Sequence, residues 1–352
     1  MTGYGMNVLT NPSQLLVKNS DALEAERILV VQPENDNFVP QLSQQGAASV
    51  NVYTTSEVVR SRLSDLGVNE ACLAYGECIP DQKEKPDTII VYLQKSREFM
   101  NYLLAMSLPL LSDNGHLLLV GENSSGIKSW QKRLAVYGDV EKIDSARHCS
   151  LYVLTPTVKP SPFVIVDWKA SFEEVLHDVC VKAVTLPGVF NHGRLDVGTR
   201  LLLETMEAGF KGDILDFGCG SGVVGAWLAK RFPGVRLFLL DNDAMALAAT
   251  RETCRINEVD PVAVIASDGL ENVRGRFNAI VSNPPFHEGV KTQYETTEQF
   301  LRESKSLLKP KGRLRIVANS FLRYPPIIEA VFGHCHVLVK RDGFTVYEAF
   351  NG

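Results

Sequence analysis

Residues 212–232 read GDILDFGCGSGVVGAWLAKRF. An apolar run over 212–217 predicts a short buried strand, glycines at every second position after it predict a tight turn, and Val223 to about Arg231 reads as a helix with basic residues in its last turn. The strand, glycine turn and helix together predict an α/β unit built on a mostly parallel sheet. Ligands in such sheets bind beyond the carboxyl ends of the strands. Asp216, Gly218, Gly220 and Gly222 form DxGxGxG at that end. Glycine lets the backbone take left-handed φ and press against a ligand, and the Asp216 carboxylate suits a cationic group.

Two further strand ends follow. RLFLLD closes on Asp241, with Asn242 next, about twenty residues after the glycine turn, where a carboxylate accepts hydrogen bonds from ribose hydroxyls. VAVIASDGL predicts a strand ending at Asp268 and Gly269, where a side chain can meet an adenine amino group. S-adenosylmethionine (SAM), with its ammonium, sulfonium and adenosine, fits the three ends together. Gly220, Gly222 and Gly225 also satisfy GxGxxG, so NAD is the competing cofactor. The leading acid and the loaded end at Asp268 favour SAM.

The next apolar run, FNAIVSNPPF, ends in Asn283, Pro284, Pro285 and Phe286. An amino group on an aromatic ring is a poor nucleophile because its lone pair is delocalised. If the Asn283 side-chain oxygen and the Pro284 carbonyl each accept one N–H, the lone pair turns towards a methyl donor. Proline fixes φ and brings no competing donor. Phe286 would stack on the base, a contact worth about 1 to 3 kcal/mol. No strong base is required, because the methylated nitrogen is acidic, and His287 reads as a rim residue. The competing reading of the tetrapeptide is a rigid turn. Adenine N6 and a protein glutamine amide remain alternative acceptors, and a non-catalytic RNA-binding module is a third class.

The N-terminal half repeats this order. DTIIVYLQKS, EFMNYLLAMSLPLLSDN and GHLLLVGEN match FNAIVSNPPF, EQFLRESKSLLK and GRLRIVANS, with turns expected at Gly115 and Gly312. This predicts an internal duplication. The counterpart of the glycine loop, RILVVQPENDNFVPQL, has no glycine in its turn, so positive φ and a cofactor site are expected to be lost there. NPPF corresponds to LQKS from Leu93. TPTVKPSP, with three prolines, predicts a linker. The expected plan is a degenerate domain over 1–155, a linker over 156–165 and a catalytic domain over 166–352.

The 352 residues are 45% apolar and 22% charged, enough for two soluble domains. Neither a signal-peptide block nor an eighteen-residue apolar run is present, so no membrane role is expected and a cytoplasmic protein is. Seven scattered cysteines without CxxC argue against a disulfide framework. His334, Cys335 and His336 alternate faces if they lie on a strand, so no metal is expected. Residues 1–180 carry 15 basic and 22 acidic side chains and the rest 21 and 19, which draws a polyanion towards the C-terminal half.

On TLPGVFNHGRLDVGTRLLL, LDFGCGSGV, SNPPFHEG and LRIVANSFLRYP, together with VGENSSGIKS and IDSARHCSLY in the N-terminal half, the chain resembles the ribosomal RNA small subunit methyltransferase C family over nearly its whole length. The resemblance implies two tandem methyltransferase-like domains, the first degenerate, in a monomer. It implies methylation of guanine N2 at position 1207 of 16S rRNA, on small subunits or their precursors. SAM contacts are implied on the glycine loop, at Asp241 and around Asp268, and base contacts on Asn283 to Phe286. A related large-subunit guanine-N2 family shares NPPFH and the tandem plan. Phe190, Asp196 and Thr199 are implied to cover the methionine end of SAM or a flipped base; a helix entry capped by Asp196 is the alternative. Phe344 stacks on substrate or, as expected here, packs.

Overall fold

The computed structural model describes residues 9–44, 49–190, 192–284 and 290–352, the side chains of 290–297 excepted. The chain divides into two compact units, Met1–Trp168 and Lys169–Gly352. The division falls after the proline-rich stretch because Phe163 and Trp168 both pack edge-on against Tyr102.

The strands of the first unit are β1 (Arg27–Val31), β2 (Ser49–Thr54), β3 (Leu73–Tyr75), β4 (Thr88–Tyr92), β5 (His116–Glu122), β6 (Gly138–Ala146) and β7 (Cys149–Pro156). A hairpin of β8 (Ala170–Leu176) and β9 (Val179–Thr185) opens the second unit, which continues with β10 (Gly212–Phe217), β11 (Val235–Asp241), β12 (Ala263–Ala266), β13 (Phe277–Ser282), β14 (Leu308–Asn319), β15 (His336–Arg341) and β16 (Phe344–Phe350). The first sheet runs β3-β2-β1-β4-β5-β7-β6 and the second β12-β11-β10-β13-β14-β16-β15, the same order in both. In each, four neighbouring pairs are parallel and the last two antiparallel. The two mostly parallel, Rossmann-type sheets expected of tandem methyltransferase-like domains are therefore present.

Alternation along β10 shows how the sheet positions the site. Leu215 and Phe217 join the core cluster on one face with Ile280, Leu314 and Ile316. Ile214 joins the other with Trp227, Val281 and Val346, and Asp216, in the same phase, turns towards that second face. The helix Val223–Arg231 packs there. The β8–β9 hairpin, turned by left-handed His177 and Asp178 as a two-residue hairpin loop requires, is tied on by Trp227 Nε1 donating to Leu176 O at 3.1 Å and Val184 N to Thr253 Oγ1 at 2.9 Å.

Several expectations are corrected. The N-terminal turn keeps the left-handed conformation without glycine: Gln32 sits at φ +53 and its N–H donates to Tyr53 O, as Gly218 at φ +71 donates to Leu240 O. What changes is space, because the buried Gln32 side chain occupies the turn and its Oε1 accepts from Thr55 N. Sheet register also moves the counterpart of Asn283 by one residue. Phe217 pairs with Ser282 and Val31 with Val91, so Tyr92, not Leu93, stands at the equivalent position. β12 stops at Ala266, two residues before Asp268, because Ser267 turns the chain, its Oγ accepting from Asn272 N. Gly312 lies inside β14, at a bulge with Lys311 at φ +61, and makes no free turn. Gly115 and Gly312 are nevertheless equivalent. A Cβ on either would stand 3.0 Å from a carbonyl oxygen of the neighbouring strand's start, Asp87 or Phe277.

Candidate functional site

The carboxyl ends of β10, β11 and β13 converge on one cavity of about 270 Å³. Gly218, Gly220 and Gly222 all adopt left-handed φ, between +55 and +74. Gly218 and Cys219 both donate backbone N–H to Leu240 O, at 2.8 and 2.9 Å, which pins the loop to β11. A Cβ at Gly220 would meet nothing within 4 Å, so this glycine serves the backbone angle. The helix Val223–Arg231 begins directly behind the loop, as expected.

Two acids stand behind this backbone. Asp216 is buried, its Oδ2 accepts from Gly225 N at 3.1 Å, and desolvation, with the nearby Asp241 charge, pushes its carboxyl up to about 7. Asp241 takes Gly220 N on Oδ2 at 2.9 Å and Asp243 N on Oδ1 at 3.1 Å, and burial raises its pKa as well. Both carboxyls line the cavity, together with Gly218, Gly220 and Asn242. Poorly solvated acids on one wall favour a positively charged occupant. Hydroxyl donors suit Asp241, whose two oxygens offer more lone pairs than the backbone N–H groups of Gly220, Asn242 and Asp243 take up.

Asn283 follows β13 and lines this cavity and a second of about 60 Å³. Phe190, Asp196 and Pro284 are also shared by the two. The Asn283 Nδ2 donates to Asp196 Oδ2 and to Thr199 Oγ1, both at 2.9 Å. Asp196 in turn caps the helix Val197–Glu204 by accepting from Thr199 N at 2.9 Å. One carboxylate thus both caps the helix and lines the two cavities. With both amide protons spent, Oδ1 is the end of Asn283 left to accept from a ligand.

Other expected residues are placed as follows. Thr199 lines the first cavity, and the half-exposed Phe190 borders both. Asp268 and Gly269 are exposed and do not line either cavity. Pro285, Phe286 and His287 lie outside the described residues. Phe344 packs, its ring leaving no room for a Cβ on Gly198, which would stand 2.9 Å away, and it also lines the second cavity. His334 accepts the Phe350 N–H on Nε2 at 3.1 Å and stacks on the Phe350 ring, a structural use. Asn319, Leu322 and Tyr324, which complete the second cavity, were not singled out. Their signal was present, since Asn319 ends β14, the next strand whose carboxyl end adjoins the site.

Residues 13–172 match the family described as Methyltransferase small domain N-terminal, and residues 180–348 match Methyltransferase small domain. Ribosomal RNA small subunit methyltransferase C of Pseudoalteromonas translucida is 38% identical over 98% of this chain and 100% of its own length. The enzyme of the same name from Marinomonas sp. is 41% identical, over 96% of this chain and 97% of its own. Among solved structures, the T. thermophilus 16S rRNA N2 methyltransferase of guanine 1207, in complex with AdoMet and guanosine, superposes with a TM-score of 0.85 at 21% identity, covering 98% of this chain and 93% of that one. Identity at this level along the full length of both bacterial proteins, on a shared tandem fold, leaves one conclusion: the chain belongs to the ribosomal RNA small subunit methyltransferase C family.

Proposed function

We propose that the chain methylates the exocyclic N2 amine of a guanine in 16S rRNA, with SAM as donor, and that the position is guanine 1207, on the small subunit or its precursor. The observation that carries the reading is the Asn283 amide, whose Nδ2 is tied twice, so that among the described residues Oδ1 is the end left to accept, between two adjoining cavities. The larger cavity holds SAM and the smaller begins the base pocket.

The fit to SAM rests on the two desolvated carboxyls and the left-handed backbone at the loop. Asp216 balances cationic charge, Asp241 accepts from the ribose hydroxyls, and the glycine loop lets the backbone approach. When bound, SAM supplies an electrophilic methyl group on a sulfonium. Asn283 Oδ1 and the Pro284 carbonyl each accept one N–H of the guanine amine, which holds the nitrogen lone pair towards the larger cavity. The methylated nitrogen then loses a proton to water, since nothing basic is needed for so acidic a group. Pro285 and Phe286 belong to the same grip, Phe286 as the stacking face. Phe190, which borders both cavities, closes over the base or the methionine end of SAM. The names of the relatives favour the small subunit over the large one, and the N-terminal unit serves as RNA-binding scaffold.

Transfer of labelled methyl to deproteinised RNA, small subunits and large subunits, followed by mapping of the product, tests this. Label on guanine N2 at 1207 in small-subunit RNA is the expected result. Label only in large subunits, or on adenine, would overturn it.

A further inference from the structure

We infer that Asp196 and Thr199 are positioning residues that set which way round the Asn283 amide stands. The inference rests on the proposed role of Asn283 as acceptor for the substrate amine.

The oxygen and NH2 of a carboxamide are nearly the same size, so packing alone does not choose between the two orientations. The neighbours do. In the observed orientation the amide nitrogen stands 2.9 Å from Asp196 Oδ2 and 2.9 Å from Thr199 Oγ1. The Thr199 hydroxyl also lies 3.4 Å from the same Asp196 oxygen and donates its one proton there, which leaves its lone pairs facing the amide. Both neighbours therefore present lone pairs. Turned over, Asn283 would set its own oxygen against a carboxylate and a hydroxyl oxygen with no proton between them. The carboxylate cannot swing away cheaply, because Oδ2 also accepts the Thr199 N–H at 2.9 Å and caps its helix. Thr199 is buried in the first turn of that helix, which fixes its hydroxyl.

The first unit supplies an internal comparison. Its helix Asn11–Lys18 carries Thr10 at the cap and Ser13 at the third position, where the second unit has Asp196 and Thr199. Ser13 Oγ still reaches the residue after the strand pairing, at 2.8 Å from Tyr92 Oη. So the hydroxyl contact between helix and strand end is kept in both copies. The cap residue is itself a carboxylate only in the copy whose strand end carries an amide. In the first unit the carboxylate at the helix start comes from Asp36, whose Oδ2 accepts from Thr10 N and Thr10 Oγ1, both at 2.8 Å, and Tyr92, not an amide, stands at the strand end.

The test uses the full chain, small subunits, saturating SAM and single-turnover transfer. Asp196→Asn keeps an oxygen for the helix cap but offers an NH2 that donates to the oxygen of the flipped amide. It should lower the transfer rate about 10- to 100-fold, the range for a misplaced reacting group, with SAM affinity and Tm nearly unchanged. Thr199→Val should lose rate in the same way, and Thr199→Ser, which keeps the hydroxyl, should recover it to within about threefold. The deciding arm is Asp196→Asn placed on Asn283→Ala. A residue acting only through Asn283 has nothing left to orient, so the double variant should match Asn283→Ala alone. A further loss in that background, a loss that tracks weaker SAM binding, or an unchanged rate for Asp196→Asn alone overturns the inference. Undiminished transfer by Asn283→Ala alone overturns instead the role of Asn283, and is read separately.

Discussion

Asp216 and Asp241 face one cavity with their charge poorly solvated, and this couples ligand affinity to pH. Burial holds the folded Asp216 carboxyl at about 7, against 3.8 for an ordinary aspartate. The folded state thus binds its proton more tightly than the unfolded one. This group's contribution to stability is full below the unfolded value and is lost as pH rises through about 7. A cationic ligand needs the carboxylate, so SAM affinity should fall about tenfold per unit as pH drops below 7. Calorimetry in buffers of different ionisation enthalpy should register a proton released on binding at pH 6 and little at pH 8. Asp216→Asn should bind SAM more weakly and remove this dependence. These two acids and Asn283 were legible as sequence because each stands at, or one residue from, the carboxyl end of a strand beside a marked turn. The Asn283–Asp196 contact was not, since it joins positions 87 residues apart and a capping carboxylate advertises only its helix. Asp268 differs from them in place: β12 ends at Ala266, a turn closed by Ser267 follows, and Asp268 stands beyond the strand and outside the lining of the cavity.

Elements, more than single residues, record the duplication. Order, register and the glycines before β5 and inside β14 are common to both sheets. In the first unit side chains fill a retained backbone, Gln32 in the turn and Tyr92 at the strand end. That outcome was only half legible, because absence of glycine disfavours a left-handed residue without forbidding it. The antiparallel end of the second sheet carries a buried cross-strand pair. Arg315 on β14 donates Nε to Glu348 Oε2 on β16 at 2.9 Å and Nη1 to Thr205 O at 2.5 Å, with its guanidinium 5.1 Å from the Phe210 ring. Desolvation lowers the Arg315 pKa, a sign of how little water reaches the pair. Glu348→Ala should therefore cost about 3 to 5 kcal/mol in urea unfolding, because it strands a buried cation. Replacing both partners by apolar residues should cost much less. A loss near zero for the single change would mean that water reaches Arg315.

At the scale of the molecule, the two units differ in chemistry far more than in fold. Among the described residues only the second combines a glycine loop with paired acids, so calorimetry should count one SAM per chain; two would contradict the expectation that Gln32 fills the turn of the first. A guanine amine inside folded RNA must be unstacked before two oxygens can grip it, which should favour assembled RNA over free guanosine. Phe321 is 79% exposed in the loop after β14, two residues from Asn319 of the smaller cavity, and if RNA approaches that cavity its ring is a stacking face to test. Phe321→Ala should raise KM for RNA about tenfold, within the 1 to 3 kcal/mol of base stacking, and leave SAM affinity alone. The whole account turns on Asn283 as the group that grips the amine. The direct measurement compares Asn283→Ala with the unaltered chain in two assays, SAM binding by calorimetry and single-turnover methyl transfer to small subunits. SAM affinity within about twofold and a transfer rate lower by about 100-fold or more is the predicted result. Transfer at the unaltered rate would contradict it.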